Sequence, residues 1–408
     1  MSTDGFFAGQ LAVAESSGNL RRLPRIGHDG KYAVVDGRRM LNLSSNDYLG
    51  IASDPGMPLM RDFLQETAAA CQVSGTCPPV PEDMLLGSAS SRLLTGTFDV
   101  HDAVERMLCR LSCRQAALVF SSGYHMNIGI LPAVCDTSTL ILADKLVHAS
   151  IIDGIRLSAG KCVRFRHQDM DQLESLVEKH HRDYSRVVIV TESIFSMDGD
   201  TADLKFLAGL KKRYPGVMLY VDEAHAVGVR GETGMGMAQE LGVMQDIDFL
   251  CGTFGKALAS VGAYVLCDSV IRDFLVNRMR SFIFTTALPP LNMLWTLRVL
   301  QGLAGMGDRR RLLSCNASKL RSALVSAGLP CPSESHIIPV MAGDSRRAAS
   351  LAAGMQKEGF YLLPIRPPTV PEGTARLRVS LTAAVTDREV AGLAAALEEV
   401  LHGHPAGK

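Results

Sequence analysis

Six short apolar runs lie between residues 117 and 266, and polar or helix-patterned segments separate them. They cover residues 117–120, 139–143, 186–191, 219–221, 249–252 and 263–266. The run at 186–191 is rich in β-branched residues, which suits a strand buried on both faces. Between two of these runs, Asp169 has the place of a helix cap, with Gln172 three residues on and Leu173, Leu176 and Val177 on one face. Strands alternating with helices predict an α/β fold with a mainly parallel central sheet and helices on both faces. The pair Pro289-Pro290 breaks the pattern. Beyond it, a helix over 291–303, charged helices and short strands at 337–341 and 376–381 predict a smaller α+β C-terminal domain. A chain of 408 residues can hold two or three domains. The expected division is a short N-terminal segment, 1–60, a large domain, 61–288, and a small domain, 289–408.

Charge and cysteine content exclude several partners. Lys plus Arg and Asp plus Glu both number 42, so no basic excess points to nucleic acid or an anionic membrane. The uncharged stretch 115–135 contains Ser121, Ser122, Gly123, His125, Asn127, Gly129 and Pro132. It reads as strand, turn and helix start rather than a membrane span. Residues 1–10 carry Asp4 and no cationic head before an apolar core, which makes a poor signal peptide and predicts a cytoplasmic protein. The ten cysteines are scattered, with no metal-binding spacing, and read as buried reduced thiols.

The chemistry is concentrated at the carboxyl ends of the predicted strands, where open α/β sheets bind ligands. One strand ends in Asp222-Glu223-Ala224-His225, and the next is followed by Thr253-Phe254-Gly255-Lys256. A carboxylate, a histidine and a lysine in that order suit pyridoxal phosphate (PLP). The lysine amine forms a Schiff base with the cofactor aldehyde, and the carboxylate keeps the pyridine nitrogen protonated. Read singly, Asp222 is an ordinary helix cap, His225 a surface histidine and Lys256 a surface charge. Their order and spacing give the set its weight. Ser122-Gly123-Tyr124 follows a strand and opens a helix, where backbone N–H groups can hold a phosphate. His148 follows another strand and can stack on a flat ring. The run Thr191-Glu192-Ser193-Ile194-Phe195-Ser196-Met197-Asp198-Gly199-Asp200 brings hydroxyls to the same edge. Gly231, Gly234 and Gly236 imitate a nucleotide fingerprint, but the spacing is wrong and they read as a loop.

Together these motifs resemble the α-oxoamine synthases, PLP enzymes of the aspartate aminotransferase fold, type I. The likeness runs from about Leu20 to Leu401 and includes Asn42-Leu43-Ser44-Ser45-Asn46-Asp47-Tyr48-Leu49-Gly50. The resemblance implies that Lys256 carries the cofactor, Asp222 pairs with its ring nitrogen, His225 contacts its phenolic oxygen and His148 stacks on its ring. It implies cofactor contacts from Gly123, Tyr124, Ser196 and Thr253, and a phosphate contact from Thr286 across a homodimer interface. It places Arg21, Asn46, His148, Thr369 and Arg378 on the substrates, with Arg378 gripping the amino acid carboxylate. The segment Ile365-Arg366-Pro367-Pro368-Thr369-Val370-Pro371, with Arg376 and Arg378 beyond it, points to one branch. That branch is a C-acyltransferase of biotin biosynthesis. It joins L-alanine to a pimeloyl thioester, of coenzyme A or of a carrier protein, in a decarboxylative condensation.

Other readings leave motifs unexplained. A branch using glycine or serine and another acyl-CoA, such as glycine C-acetyltransferase, usually differs at residues 365–371. A lyase of the same fold, such as a threonine aldolase, needs no acyl thioester. A non-catalytic relative tends to lose the lysine, which is present here. The segment 77–85 is longer than the family usually has and leaves the acyl carrier open.

Overall fold

The computed structural model describes residues 3–54, 57–71 and 82–403. The chain forms two compact units. The larger comprises Pro55–Ser196 and Thr201–Arg310, and the smaller comprises Met1–Asp54, Met197–Asp200 and Arg311–Lys408.

In the larger unit all six apolar runs are strands, and a seventh lies at the edge. They are β1 (Ala116–Phe120), β2 (Thr139–Asp144), β3 (Lys161–Phe165), β4 (Arg186–Glu192), β5 (Val217–Asp222), β6 (Phe249–Thr253) and β7 (Ala263–Cys267). The sheet order is β1-β7-β6-β5-β4-β2-β3. The pairings among β2 to β6 are parallel, and β7 is antiparallel to both its neighbours. The sheet is therefore mixed but mainly parallel, as expected. Between strands run α1 (Gly123–Val134), α2 (Ala149–Leu157), α3 (Met170–His180) and α4 (Leu204–Arg213). Ser122 caps α1 by accepting the His125 N–H, and Asp169 caps α3 by accepting the Gln172 N–H. No helix among the described residues is long and apolar enough to cross a membrane.

The smaller unit pairs the two ends of the chain. Strand Arg38–Asn42 lies parallel to Phe360–Tyr361, and a three-stranded antiparallel sheet joins Ile337–Gly343, Ala375–Ser380 and Pro364–Ile365. The first 54 residues thus fold with the C-terminal part rather than as a segment of their own. The boundary expected at 288 also differs. Pro290–Leu303 is a helix of the larger unit, packed on Asp99–Ser112. Its first residue is Pro290, where a proline costs no helical hydrogen bond. The prolines mark a helix start, and the units divide at Arg310.

Other expectations shift in detail. Eight cysteines with described side chains are free, but Cys113 and Cys315 are exposed rather than buried. Most of the long segment 77–85 lies outside the described residues, which resume with a 3-10 turn at Glu82–Met84. The glycines at 231, 234 and 236 form a loop closed by its own backbone bonds.

That loop is built on Glu223. Its buried carboxylate accepts the Met237 and Ala238 N–H groups, both at 2.7 Å. Gly236 has φ +100°, and a Cβ there would fall 1.7 Å from Glu223 Oε2. Gly242 also has positive φ but open space around it. Gly236→Ala should lower stability by about 3 kcal/mol and Gly242→Ala by only about 1 kcal/mol. Urea midpoints of the two variants against the parent chain check this contrast.

Candidate active site

Parallel strands β5 and β6 are neighbours, so their carboxyl ends share one edge of the sheet. Asp222 closes β5 and is 6% exposed. Its Oδ1 accepts the Ala224 N–H at 2.9 Å, and its Oδ2 accepts Asn127 Nδ2 at 3.1 Å. His225 is buried three residues on, and its Nε2 lies 2.8 Å from Lys256 Nζ. The structure therefore joins His225 to Lys256 directly, with Asp222 on the same strand end.

The remaining expected positions are distributed around this edge. His148 is the N-cap of α2, and its exposed ring takes the Ser150 N–H at Nδ1. Although the residue is exposed overall, desolvation on its protein-facing side lowers its pKa, with Asp222 opposing and Lys256 adding to that shift. Gly123 opens α1 with nothing within 4 Å of a Cβ built on it. Its N–H and that of Tyr124 belong to the first turn, where no intrahelical acceptor exists. The Tyr124 side chain is turned away, its hydroxyl donating to Asp153 Oδ2 at 2.8 Å. Ser196 is buried. Thr253 Oγ1 donates to the Gly262 carbonyl and accepts the Gly255 N–H, so it serves its own turn. Thr286 is exposed, pairs with Ser91 and lines a small cavity with Ser121, Ser281 and Arg92 of its own chain.

The smaller unit gathers the other group. Arg378 Nη1 and Nη2 donate to Asn46 Oδ1 at 3.2 and 3.3 Å, and Nη2 donates to Tyr48 Oη at 3.1 Å. The Tyr48 hydroxyl in turn donates to Asn46 Oδ1 at 2.8 Å. Three donors meet at Oδ1, which leaves the Asn46 Nδ2 hydrogens directed elsewhere. Arg21 Nη2 donates to Thr369 Oγ1 at 2.9 Å. Arg21 with Thr369, and Asn46 with Arg378, are thus contacting pairs within one unit.

Sequence reading missed several polar residues beside Asp222. Glu192 closes β4 directly opposite Asp222. Its Oε1 and the Ser193 hydroxyl are buried without a hydrogen-bond partner among the described residues. Asn127, Ser150 and Tyr220 are also buried around Asp222. An asparagine in the apolar run 115–135 was a visible signal, but its partner was not. Tyr48 stood inside a quoted motif without a role.

Comparison with known proteins decides the family. The model for aminotransferase class I and II matches residues 38–397. The 8-amino-7-oxononanoate synthase of Haemophilus ducreyi is 48% identical over 96% of this chain and all of its own length. The chain belongs to the class I and II aminotransferases, in the 8-amino-7-oxononanoate synthase family. Solved relatives agree. A serine palmitoyltransferase variant from S. paucimobilis, bound to PLP joined with myriocin, superposes with a TM-score of 0.85 at 28% identity, covering 98% of this chain and 97% of its own. The 8-amino-7-oxononanoate synthase of Francisella tularensis gives 0.73 at 26%, covering 89% and 98%.

The cofactor of this family is PLP, and the residues present fit it. A buried carboxylate suits a protonated ring nitrogen, an exposed imidazole face suits a flat ring, and a helix start with an open glycine suits a phosphate. Unpartnered buried oxygens on Glu192 and Ser193 fit a polar ligand at the same strand ends.

Glu192 supplies a prediction. Burial first, and Asp222 second, push its carboxyl up to about 8 from 4.5. The folded chain therefore holds a proton that the unfolded chain releases. Its contribution falls as pH rises from about 4.5 to about 8. Glu192→Gln, which mimics the neutral acid, should remove that loss. Melting temperatures of the cofactor-free proteins across this range should show a flatter profile for the variant.

Proposed function

We propose that this chain joins L-alanine to a pimeloyl thioester in biotin biosynthesis, releasing carbon dioxide and the free thiol and forming 8-amino-7-oxononanoate. The contact of Lys256 with His225 beside buried Asp222 carries the reading, because it gives a synthase relative the groups that the cofactor needs. When bound, PLP holds the amino group of the substrate and draws electrons from its Cα.

The protein's own groups do the rest. Lys256 carries the cofactor at rest, and its amine then removes the Cα proton of alanine and later returns one. Asp222 keeps the proton on the ring nitrogen. His225 holds Lys256 and meets the phenolic oxygen, while His148 covers one ring face. Gly123 and Tyr124 offer backbone N–H groups to the phosphate, and Ser196 and Thr253 line its surroundings. Arg378 and Asn46 Nδ2 grip the alanine carboxylate, and Arg21 and Thr369 meet the acyl substrate. The new bond joins alanine Cα to the acyl carbonyl carbon. The thiol leaves from that carbon, and the alanine carboxylate leaves as carbon dioxide.

The reading extends to assembly and place. Thr286 reaches the phosphate in a partner copy, so the working form is a homodimer in the cytoplasm. Its exposure in its own chain supports this. Mixing Lys256→Ala chains with Thr286→Val chains should restore one competent site per heterodimer. An active monomer would remove the idea.

Product assay by mass spectrometry tests the reaction, with alanine, glycine and serine against pimeloyl and acetyl thioesters. Alanine with the pimeloyl donor should dominate. One methyl group limits discrimination against glycine to roughly ten- to two-hundred-fold. Preference for glycine and acetyl-CoA would move the chain to the glycine C-acetyltransferase branch. Borohydride reduction of the holoenzyme should leave the cofactor mass on the Lys256 peptide. Arg378→Ala should raise KM for alanine by about ten- to a hundred-fold, the worth of a charge-assisted bond. KM for the thioester should change little.

A further inference from the structure

Asn127 has no role in the reaction described above, yet it is 2% exposed and uses both ends of its amide. Its Nδ2 donates to Asp222 Oδ2 at 3.1 Å and to Ser150 Oγ at 2.9 Å. Its Oδ1 accepts the Tyr220 hydroxyl. Burial raises the Tyr220 pKa well above its ordinary value, so the phenol remains a donor.

These partners fix every hydrogen in turn. A carboxylate only accepts, so the amide nitrogen must face Asp222. The same nitrogen gives its second hydrogen to Ser150 Oγ. The Ser150 hydroxyl lies 2.7 Å from His148 Nδ1, and it donates there because the fixed Ser150 backbone N–H already makes that nitrogen an acceptor. His148 Nδ1 also receives the Ser150 backbone N–H at 3.2 Å. A nitrogen that accepts two hydrogens carries none of its own. The imidazole proton is therefore on Nε2.

We propose that Asn127 and Ser150 are positioning residues, forming a relay from Asp222 to His148 that holds the imidazole neutral, with its proton on Nε2, while it lies against the cofactor ring. The proposal rests on the reading that Asp222 meets the ring nitrogen and His148 the ring face. Protonating Nδ1 would require the Ser150 hydroxyl to turn from it and the backbone N–H, which cannot turn, to oppose it. A neutral histidine avoids placing a second cation on a protonated ring. The other charged groups facing His148 are Asp222 and Asp153, which favour protonation, and Lys256, which opposes it. The Glu192 carboxyl accepts the His148 backbone N–H.

Two measurements on the holoenzyme test the relay. In protein labelled with 15N-histidine, the resonance pair lost in His148→Asn should be that of a neutral ring protonated at Nε2. A ring protonated at Nδ1, or a charged ring at neutral pH, would overturn the proposal. In the second, Ser150→Ala removes one donor to Nδ1. The acid limb of the kcat/KM profile for alanine, and the matching step in cofactor absorbance, should move up by about 0.4–1.1 pH units, the net worth of one hydrogen bond. Ser150→Thr should restore the parent profile, and in a His148→Asn background Ser150→Ala should cause no shift. An unmoved limb, or a shift that persists without His148, would overturn the relay. If the wild-type protein showed no cofactor band from Lys256, the underlying reading would fail instead. The tautomer measurement reports on the relay even if Ser150→Ala does not fold.

Discussion

The architecture turns on a carboxylate kept inside the protein. Asp222 ends a central strand, buried, where an unpaired charge costs several kcal/mol. The fold offsets that cost with the Ala224 N–H, two residues on, and the Asn127 amide, brought in by packing. In the proposed reading, the cofactor ring nitrogen is the third partner that completes the set. This explains why the surrounding polar residues are buried too. Asn127 must approach from α1, Tyr220 must orient Asn127 from within β5, and Glu192 must end the neighbouring strand. The site is therefore a property of the sheet edge and the first turns of two helices.

The legible part of the sequence was the part written along one direction of the chain. Lys256, Asp222 and His225 could be found because β5 and β6 are consecutive and parallel, so their ends must meet on one edge. The helix cap at Asp169 was readable for the same reason, being entirely local. Asn127 was not, because it lies on a helix 95 residues from its partner on a strand, and only packing brings them together. Glu192 stood inside the run 191–200 without a role of its own. Nothing in its neighbours along the chain shows that it stands opposite Asp222. The division into units failed for a related reason. Pro289-Pro290 was read as a break between domains, whereas Pro290 begins a helix that packs back on the larger unit.

The smaller unit shows the same principle over a longer range. Asn46 lies in the N-terminal part and Arg378 in the last strand, yet they share a hydrogen bond. The pairing of Arg38–Asn42 with Phe360–Tyr361 joins an N-terminal strand to a C-terminal one, while Arg378 lies in the separate three-stranded sheet of the same unit. Resemblance supplied both residues as substrate contacts, but only the structure shows Tyr48 between them. The buried phenol accepts from the guanidinium and donates to the amide, which orients Asn46 as surely as a neighbouring strand would. A motif quoted only for its likeness thus also supports Arg378.

The charge pattern around the cofactor position follows from these contacts. Burial acts on Glu192 and on His148 in the direction of neutrality. Only Asp222 has local donors on both of its carboxylate oxygens. Glu192 has an oxygen without a partner among the described residues, and its carboxyl is pushed up to about 8, so it is mostly protonated at neutral pH. His148 accepts at Nδ1 and is held uncharged. In the proposed reading, Asp222 is then the one negative group that meets the protonated ring nitrogen, with no second carboxylate to overcompensate it and no histidine cation to repel it. Hydrogen bonds, rather than the number of acidic and basic residues, select which of three neighbouring titratable groups carries charge. That selection lets a chain of zero net charge present a defined electrostatic field at one strand end.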